Sequence, residues 1–72
     1  MNEIEARMIV AFARCDMKIT HAAKRLHYDT ATLEYRFNSV HIKTGLNPRN
    51  FFDLGELYTS ACNVLGAEAD EI

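Results

Sequence analysis

The feature that most constrains the fold of this chain is a pair of short amphipathic segments, separated by a break of only three residues. Residues 19–26 (ITHAAKRL) place apolar side chains at positions i, i+3, i+4 and i+7, and residues 30–44 repeat that spacing. Residues three and four apart lie on one face of an α-helix, so each segment predicts a short helix with one core-facing stripe. A break as short as His27–Asp29 is typical of a helix-turn-helix, which we expect over residues 19–46.

Residues at the ends of these segments support that interpretation. His27 is among the non-glycine residues enriched in the left-handed conformation, which the turn is expected to need. Asp29 is expected to cap the second helix with its carboxylate, and Gly45 to end that helix. Thr20 is a candidate cap for the first helix, and Asn50 for a later one.

Two further segments have the same apolar period, and the chain is therefore predicted to be all-α. The four expected helices cover residues 3–14, 19–26, 30–44 and 50–65 of a single domain that spans residues 1–66. Gly55 inside the fourth helix costs roughly 1 kcal/mol relative to Ala, which suggests that another backbone packs closely there. Residues 67–72 are predicted to form an acidic, flexible tail with too little apolar content to pack.

The apolar arcs of the first and fourth helices are wider than one packing partner needs. A domain of this length buries only about 60% of its unfolded surface, so a partner would help to stabilise it. We therefore predict a homodimer, with an interface formed by Ile9, Phe12, Phe52 and Tyr58.

The stretches ITHAAKRLH, TLEYRF and TGL resemble the C-terminal helix-turn-helix domain of PucR and sugar-diacid-type bacterial transcription regulators, and more distantly the Fis-like DNA-binding domain. The resemblance covers about residues 17–62 and implies a helix-turn-helix fold that binds double-stranded DNA. The family usually carries basic or amide residues at the start of its second helix. This chain departs from that pattern with Asp29, Thr30, Ala31 and Glu34.

The net charge of −2 conceals an uneven distribution of charge. Residues 17–49 hold six basic and two acidic side chains, a net charge of +4, whereas residues 50–72 hold five acidic side chains and no basic one. A basic motif between acidic ends is consistent with a protein that binds phosphate groups through one face. An ordinary solvated surface would have a similar composition.

The second helix of a helix-turn-helix enters the major groove by its N-terminal half. Asn38 could pair with adenine, Glu34 could accept from a cytosine amine, and Ala31 could touch a thymine methyl group. Phosphate contacts need charge and reach rather than exact geometry. The expected base-facing residues are Thr30, Ala31, Glu34, Tyr35 and Asn38, and the expected phosphate contacts are Lys18, His21, Lys24, Arg25 and Arg36. The alternatives are ordinary surface residues and, for Arg36, an ion pair along its helix.

These patterns lead to two functional hypotheses. The first is a sequence-selective DNA-binding transcription regulator; the second is an adaptor or antagonist whose acidic second helix docks another regulatory protein. The three histidines and two cysteines lack the spacing of zinc sites, and no catalytic motif is present, so we expect no metal, no cofactor and no enzymatic activity. Without a signal-peptide or membrane-spanning pattern, a cytoplasmic location is expected.

Overall fold

The computed structural model describes all 72 residues, and every regular element in it is a helix. The elements are α1 (Glu3–Arg14), α2 (Ile19–Leu26), α3 (Thr30–Thr44), α4 (Phe51–Leu65) and a closing 3₁₀ helix (Gly66–Glu71). The all-α prediction is confirmed, and α4 begins at Phe51 with Asn50 as its cap. Each helix falls short of the length and hydropathy that a membrane crossing needs.

Helix α1 lies in the middle of the core, packed mainly against α4 and also against α2 and α3. A helix covered on several sides needs apolar residues around most of its circumference, and Met8 to Phe12 are all buried. The prediction that Ile9 and Phe12 form a dimer interface is therefore wrong. Ile9 is fully buried within the chain, and the Phe12 ring packs edge-on against the Phe37 ring at a centroid distance of 4.9 Å.

Side-chain caps fix where three of the helices begin. Asn2, Asp29 and Asn50 each accept a hydrogen bond from the backbone N–H three residues later, at 2.8, 2.8 and 3.0 Å. The predicted caps at Asp29 and Asn50 are confirmed. The prediction for Thr20 is wrong, because α2 already begins at Ile19 and follows the extended residue Lys18, which makes no side-chain capping bond.

The C-terminal segment is packed against the domain, so the prediction of an unpacked tail is wrong. Ala69 and Ile72 are buried, and they lie three positions apart on the 3₁₀ turn. The Arg14 guanidinium donates to the Ala69 carbonyl and, at 3.3 Å, to the Tyr58 hydroxyl. Two apolar residues are therefore enough to hold this segment, because the domain offers a surface for them to pack on and Arg14 donates a hydrogen bond to its backbone.

Gly55 lies on an exposed part of α4, and the predicted close helix crossing at this residue is wrong. A Cβ atom built at Gly55 would have no neighbouring atom within 4 Å. The glycine is therefore not required by packing within the chain.

A buried carboxylate joins the start of α1 to the end of α3. The Lys43 ammonium donates to Glu5 Oε2 at 3.1 Å, and the Glu5 side chain is 1% exposed. Burial disfavours the charged form of Glu5. Hydrogen bonds from Lys43 and from the Asn2 backbone N–H, together with the charges of Lys43 and the chain N-terminus, outweigh burial and hold the pKa of this carboxyl below its ordinary value.

This ion pair should make the stability of the domain depend on pH. A lowered folded-state pKa stabilises the fold above the unfolded pKa of about 4.3, and that stabilisation is lost as the pH falls through the folded-state value. We expect Glu5→Gln to lower the free energy of unfolding by about 1–2 kcal/mol at neutral pH, a value reduced by the partial exposure of Lys43. Urea unfolding of the wild type and of Glu5→Gln at neutral and acidic pH measures this difference. If acid lowered the free energy of unfolding equally in the two proteins, the stabilising role of the Glu5–Lys43 ion pair would be contradicted.

Candidate nucleic-acid interface

Helices α2 and α3 are joined by a tight turn that the sequence encodes at both ends. His27 ends α2 in the left-handed conformation (φ 63°), and its N–H and that of Tyr28 bond to carbonyls of the last turn of α2. Asp29 then caps α3 and accepts from both the backbone N–H and the hydroxyl of Thr32, at 2.8 and 2.6 Å. These bonds hold the pKa of the Asp29 carboxyl below its ordinary value. The Asp29 carboxylate therefore stabilises the turn and the start of α3.

Small buried residues bring the two helices close together. Ala22 and Ala23 of α2 are buried, as are Leu33 and Phe37 of α3. Because these four side chains face inward, the opposite side of each helix is left to solvent. The exposed surface of α3 is the side on which the predicted base-facing residues occur.

The structure brings the predicted base-facing residues together on one side of α3. Ala31, Glu34, Tyr35 and Asn38 are exposed, and Thr30 is half-buried at the start of the helix. Tyr35 is 71% exposed. The spacing of one, three and four positions places them on successive turns of one face, directed away from the core stripe.

The predicted phosphate-contacting residues form no ion pair within the chain. Lys18, His21, Lys24 and Arg25 are exposed, and Arg36 is half-buried. The two ion pairs of the structure are Arg14 with Asp70 and Lys43 with Glu5, so neither involves any of these residues. The alternative of an ion pair along the helix is therefore not realised for Arg36.

Three of these residues meet at a shallow depression on the outer side of α2. His21, Lys24 and Arg25 line it together with Cys15, and its volume is about 450 Å³. A concave surface lined by unpaired donors suits an anion such as a phosphate group.

Arg49, in the connection between α3 and α4, is a site residue that we did not predict. Its guanidinium carbon lies 5.8 Å from the centroid of the Phe37 ring, and Nη1 donates to Asn38 Oδ1 at 3.3 Å. The sequence shows its charge, but nothing in the local pattern indicates that a residue beyond the helix folds back onto the exposed side of α3.

A second exposed surface lies at the start of α4. Phe51 and Phe52 are 70% and 79% exposed and contact each other edge to face at 5.5 Å. With Ala13, Met17 and Tyr58 they border an apolar depression of about 600 Å³. We call these five residues the Phe51–Phe52 surface. Two residues of the predicted dimer interface, Phe52 and the half-buried Tyr58, belong to this surface.

Comparison with known proteins agrees with this geometry. Residues 6–61 match the model of the PucR C-terminal helix-turn-helix domain. No curated protein and no solved structure shows significant similarity to the chain. The match covers most of α1 and of α4 and everything between them, including the turn and both helices of the motif. The chain belongs to the family of PucR C-terminal helix-turn-helix domains.

Proposed function

We propose that this protein is a sequence-selective regulator of transcription that binds double-stranded DNA through α2 and α3. The observation that carries the proposal is the set of basic side chains in and beside the helix-turn-helix, none of which forms an ion pair within the chain. In this role Lys18, His21, Lys24, Arg25 and Arg36 contact phosphates, and Thr30, Ala31, Glu34, Tyr35 and Asn38 face the bases. A duplex-DNA ligand agrees with the cytoplasmic location expected from the sequence.

Glu34 gives a direct test, because its carboxylate lies among the proposed DNA contacts and has no ion-pair partner. We expect Glu34→Arg to strengthen binding to a random-sequence duplex roughly tenfold at about 0.1 M salt, since one repulsion is removed and one attraction is added. If Glu34 reads a base, the preferred sequence should also change at one position. Fluorescence anisotropy with competitor duplexes separates the two effects.

The matched control is Glu56→Arg, which makes the same change of charge at an exposed, unpaired position of α4. An equal gain in both variants would show that overall charge, rather than the surface of α3, governs binding. That result would count against the proposed binding surface.

We also propose that the protein acts as a homodimer whose interface is the Phe51–Phe52 surface. Two adjacent phenylalanines exposed on one helix leave apolar area that a second copy would cover, and two-fold dimers match the two half-sites of typical helix-turn-helix operators. None of the five residues of this surface belongs to α2 or α3.

Sedimentation of the 8.2 kDa chain tests this interface. We expect the wild type to dimerise at micromolar protein concentrations. The Phe52→Asp variant should remain monomeric at the same concentrations. Ile42→Asp is the control, because Ile42 is 85% exposed on α3 and lies outside the Phe51–Phe52 surface. A monomeric wild type, or a dimer disrupted by Ile42→Asp and not by Phe52→Asp, would contradict the proposal.

The second candidate function is a protein-interaction module. Tyr35 and Ile42 lie two turns apart on the exposed side of α3, beside Glu34, and an apolar and acidic helix face is suited to docking a partner protein. Absence of duplex-DNA binding would favour this role over the first.

A further inference from the structure

Arg49 is held beside the proposed base-facing residues by the connection that follows α3. Its backbone N–H donates to Asn47 Oδ1 at 3.0 Å, and the neighbouring Pro48 is buried, so the loop backbone is fixed. The guanidinium lies near the Phe37 ring and bonds to Asn38. A guanidinium has five N–H donors, and the bond to Asn38 uses one of them.

The bond to Arg49 changes what Asn38 can offer to a base. Adenine is read by the side chain of Asn through one donor and one acceptor, the amide NH₂ and Oδ1. Here Oδ1 already accepts from Arg49 at 3.3 Å, whereas the NH₂ group of Asn38 has no hydrogen-bond partner in the chain. Arg49 and Asn38 together therefore present hydrogen-bond donors.

Glu34 supplies an acceptor next to these donors. Glu34 and Asn38 are four residues apart on α3 and so lie on the same face, and Glu34 and Arg49 line one small depression of about 250 Å³. Glu34 and Arg49 do not form an ion pair, so the carboxylate and most of the guanidinium remain available.

This arrangement matches the major-groove edge of one type of base pair. Guanine offers two acceptors, N7 and O6, and its partner cytosine offers the N4 amine as a donor. Adenine, by contrast, presents a donor beside its N7 acceptor. Donors from Arg49 and Asn38 next to a Glu34 acceptor are complementary to a G·C pair.

We infer that Arg49, Asn38 and Glu34 form a unit that reads one G·C base pair, with Arg49 and Asn38 on guanine and Glu34 on the cytosine amine. The inference rests on the proposed DNA-binding function and adds a specificity-determining residue, Arg49, from outside the helix-turn-helix.

The test begins with selection of preferred duplexes from a randomised library by the wild-type protein. We expect one position of the selected site to require G·C. Replacing that guanine with 7-deazaguanine, which lacks the N7 acceptor, should weaken wild-type binding on the order of tenfold, the discrimination typical of one good base contact. Arg49→Ala should bind both duplexes about equally, since it lacks the group that reads N7.

Two variants separate base reading from phosphate contact. Arg49→Lys keeps the charge and loses the planar fork, so the salt dependence should be retained while the preference for G·C falls. Arg25→Ala should keep the preference and reduce the salt dependence. Circular dichroism confirms that each variant is folded, and the 7-deazaguanine measurement on the wild type needs no variant.

The inference is overturned if 7-deazaguanine leaves wild-type affinity unchanged at every selected guanine. It is also overturned if Arg49→Ala lowers the salt slope by about one unit without altering base preference, because Arg49 would then be a phosphate contact. In both cases the proposed DNA-binding function survives. A wild-type protein that binds no duplex would overturn both.

Discussion

Replacing Phe37 with Ala is expected to lower the free energy of unfolding by about 3–5 kcal/mol. Phe37 is fully buried, and its ring packs edge-on against Phe12 at 4.9 Å, so the substitution removes a large side chain from the contact between α3 and α1. A domain of this length has a total stability on the order of 4–11 kcal/mol, so the loss is a large fraction of the whole. Urea or thermal unfolding followed by circular dichroism measures the loss.

The matched control is Tyr35→Ala, which truncates an aromatic side chain two positions earlier on the same helix. Tyr35 is 71% exposed, so we expect its loss to change stability by no more than about 0.5 kcal/mol. Similar losses in the two variants would mean that α3 does not bury the face described above.

Removing Lys24 and Arg25 together should have the largest effect on DNA affinity. Both side chains are exposed, unpaired and line the depression on α2. Each proposed phosphate contact releases close to one counterion, so the double Ala variant should bind roughly 50-fold more weakly at about 0.1 M salt, with a salt slope smaller by about two units. Preference among duplex sequences should barely change, because phosphate contacts carry no direct sequence information.

Arg7→Ala serves as the control for loss of positive charge. Arg7 is exposed on α1, outside the helix-turn-helix, and belongs to neither ion pair. Its removal should leave the salt slope nearly unchanged. If the slope falls as much per charge for Arg7 as for Lys24 and Arg25, binding depends on overall charge and the proposed phosphate contacts are wrong.

The helix boundaries were predictable because the signals that set them are local. Asp29, Asn50 and Gly45 act within one turn of their own positions, and the apolar period identifies each core-facing stripe without reference to the rest of the chain. The Thr20 prediction also concerned a local signal, and it failed. The residues just before α2 take an unusual path, in which Asp16 and Met17 are both left-handed.

The contacts between distant segments were not predictable from these patterns. A wide apolar arc shows that a helix needs to be covered, but it does not say whether neighbouring helices or a second copy cover it. Here Ile9 and Phe12 are buried within the chain, where α1 packs against the other helices and Phe12 contacts Phe37 of α3. The packed C-terminal turn likewise depends on Arg14, 55 residues before the carbonyl to which it donates.

The charge count predicted a basic surface and could not assign the role of each charge. Lys43 belongs to the basic middle segment, yet its ammonium is bonded to Glu5, 38 residues earlier. Arg36, for which a partner along the helix was an alternative, has no acidic partner. Arg49 reaches the exposed side of α3 only through the fold of its loop.

The most direct test of DNA binding by α2 and α3 is the affinity of the wild-type protein for a labelled duplex, measured by fluorescence anisotropy over a series of salt concentrations. We expect the logarithm of the association constant to fall linearly with the logarithm of salt concentration, with a slope of about −4 per monomer from the proposed phosphate contacts of Lys18, Lys24, Arg25 and Arg36. A dissociation constant weaker than ~10⁻⁴ M at low salt, or an affinity that does not change with salt, would contradict it.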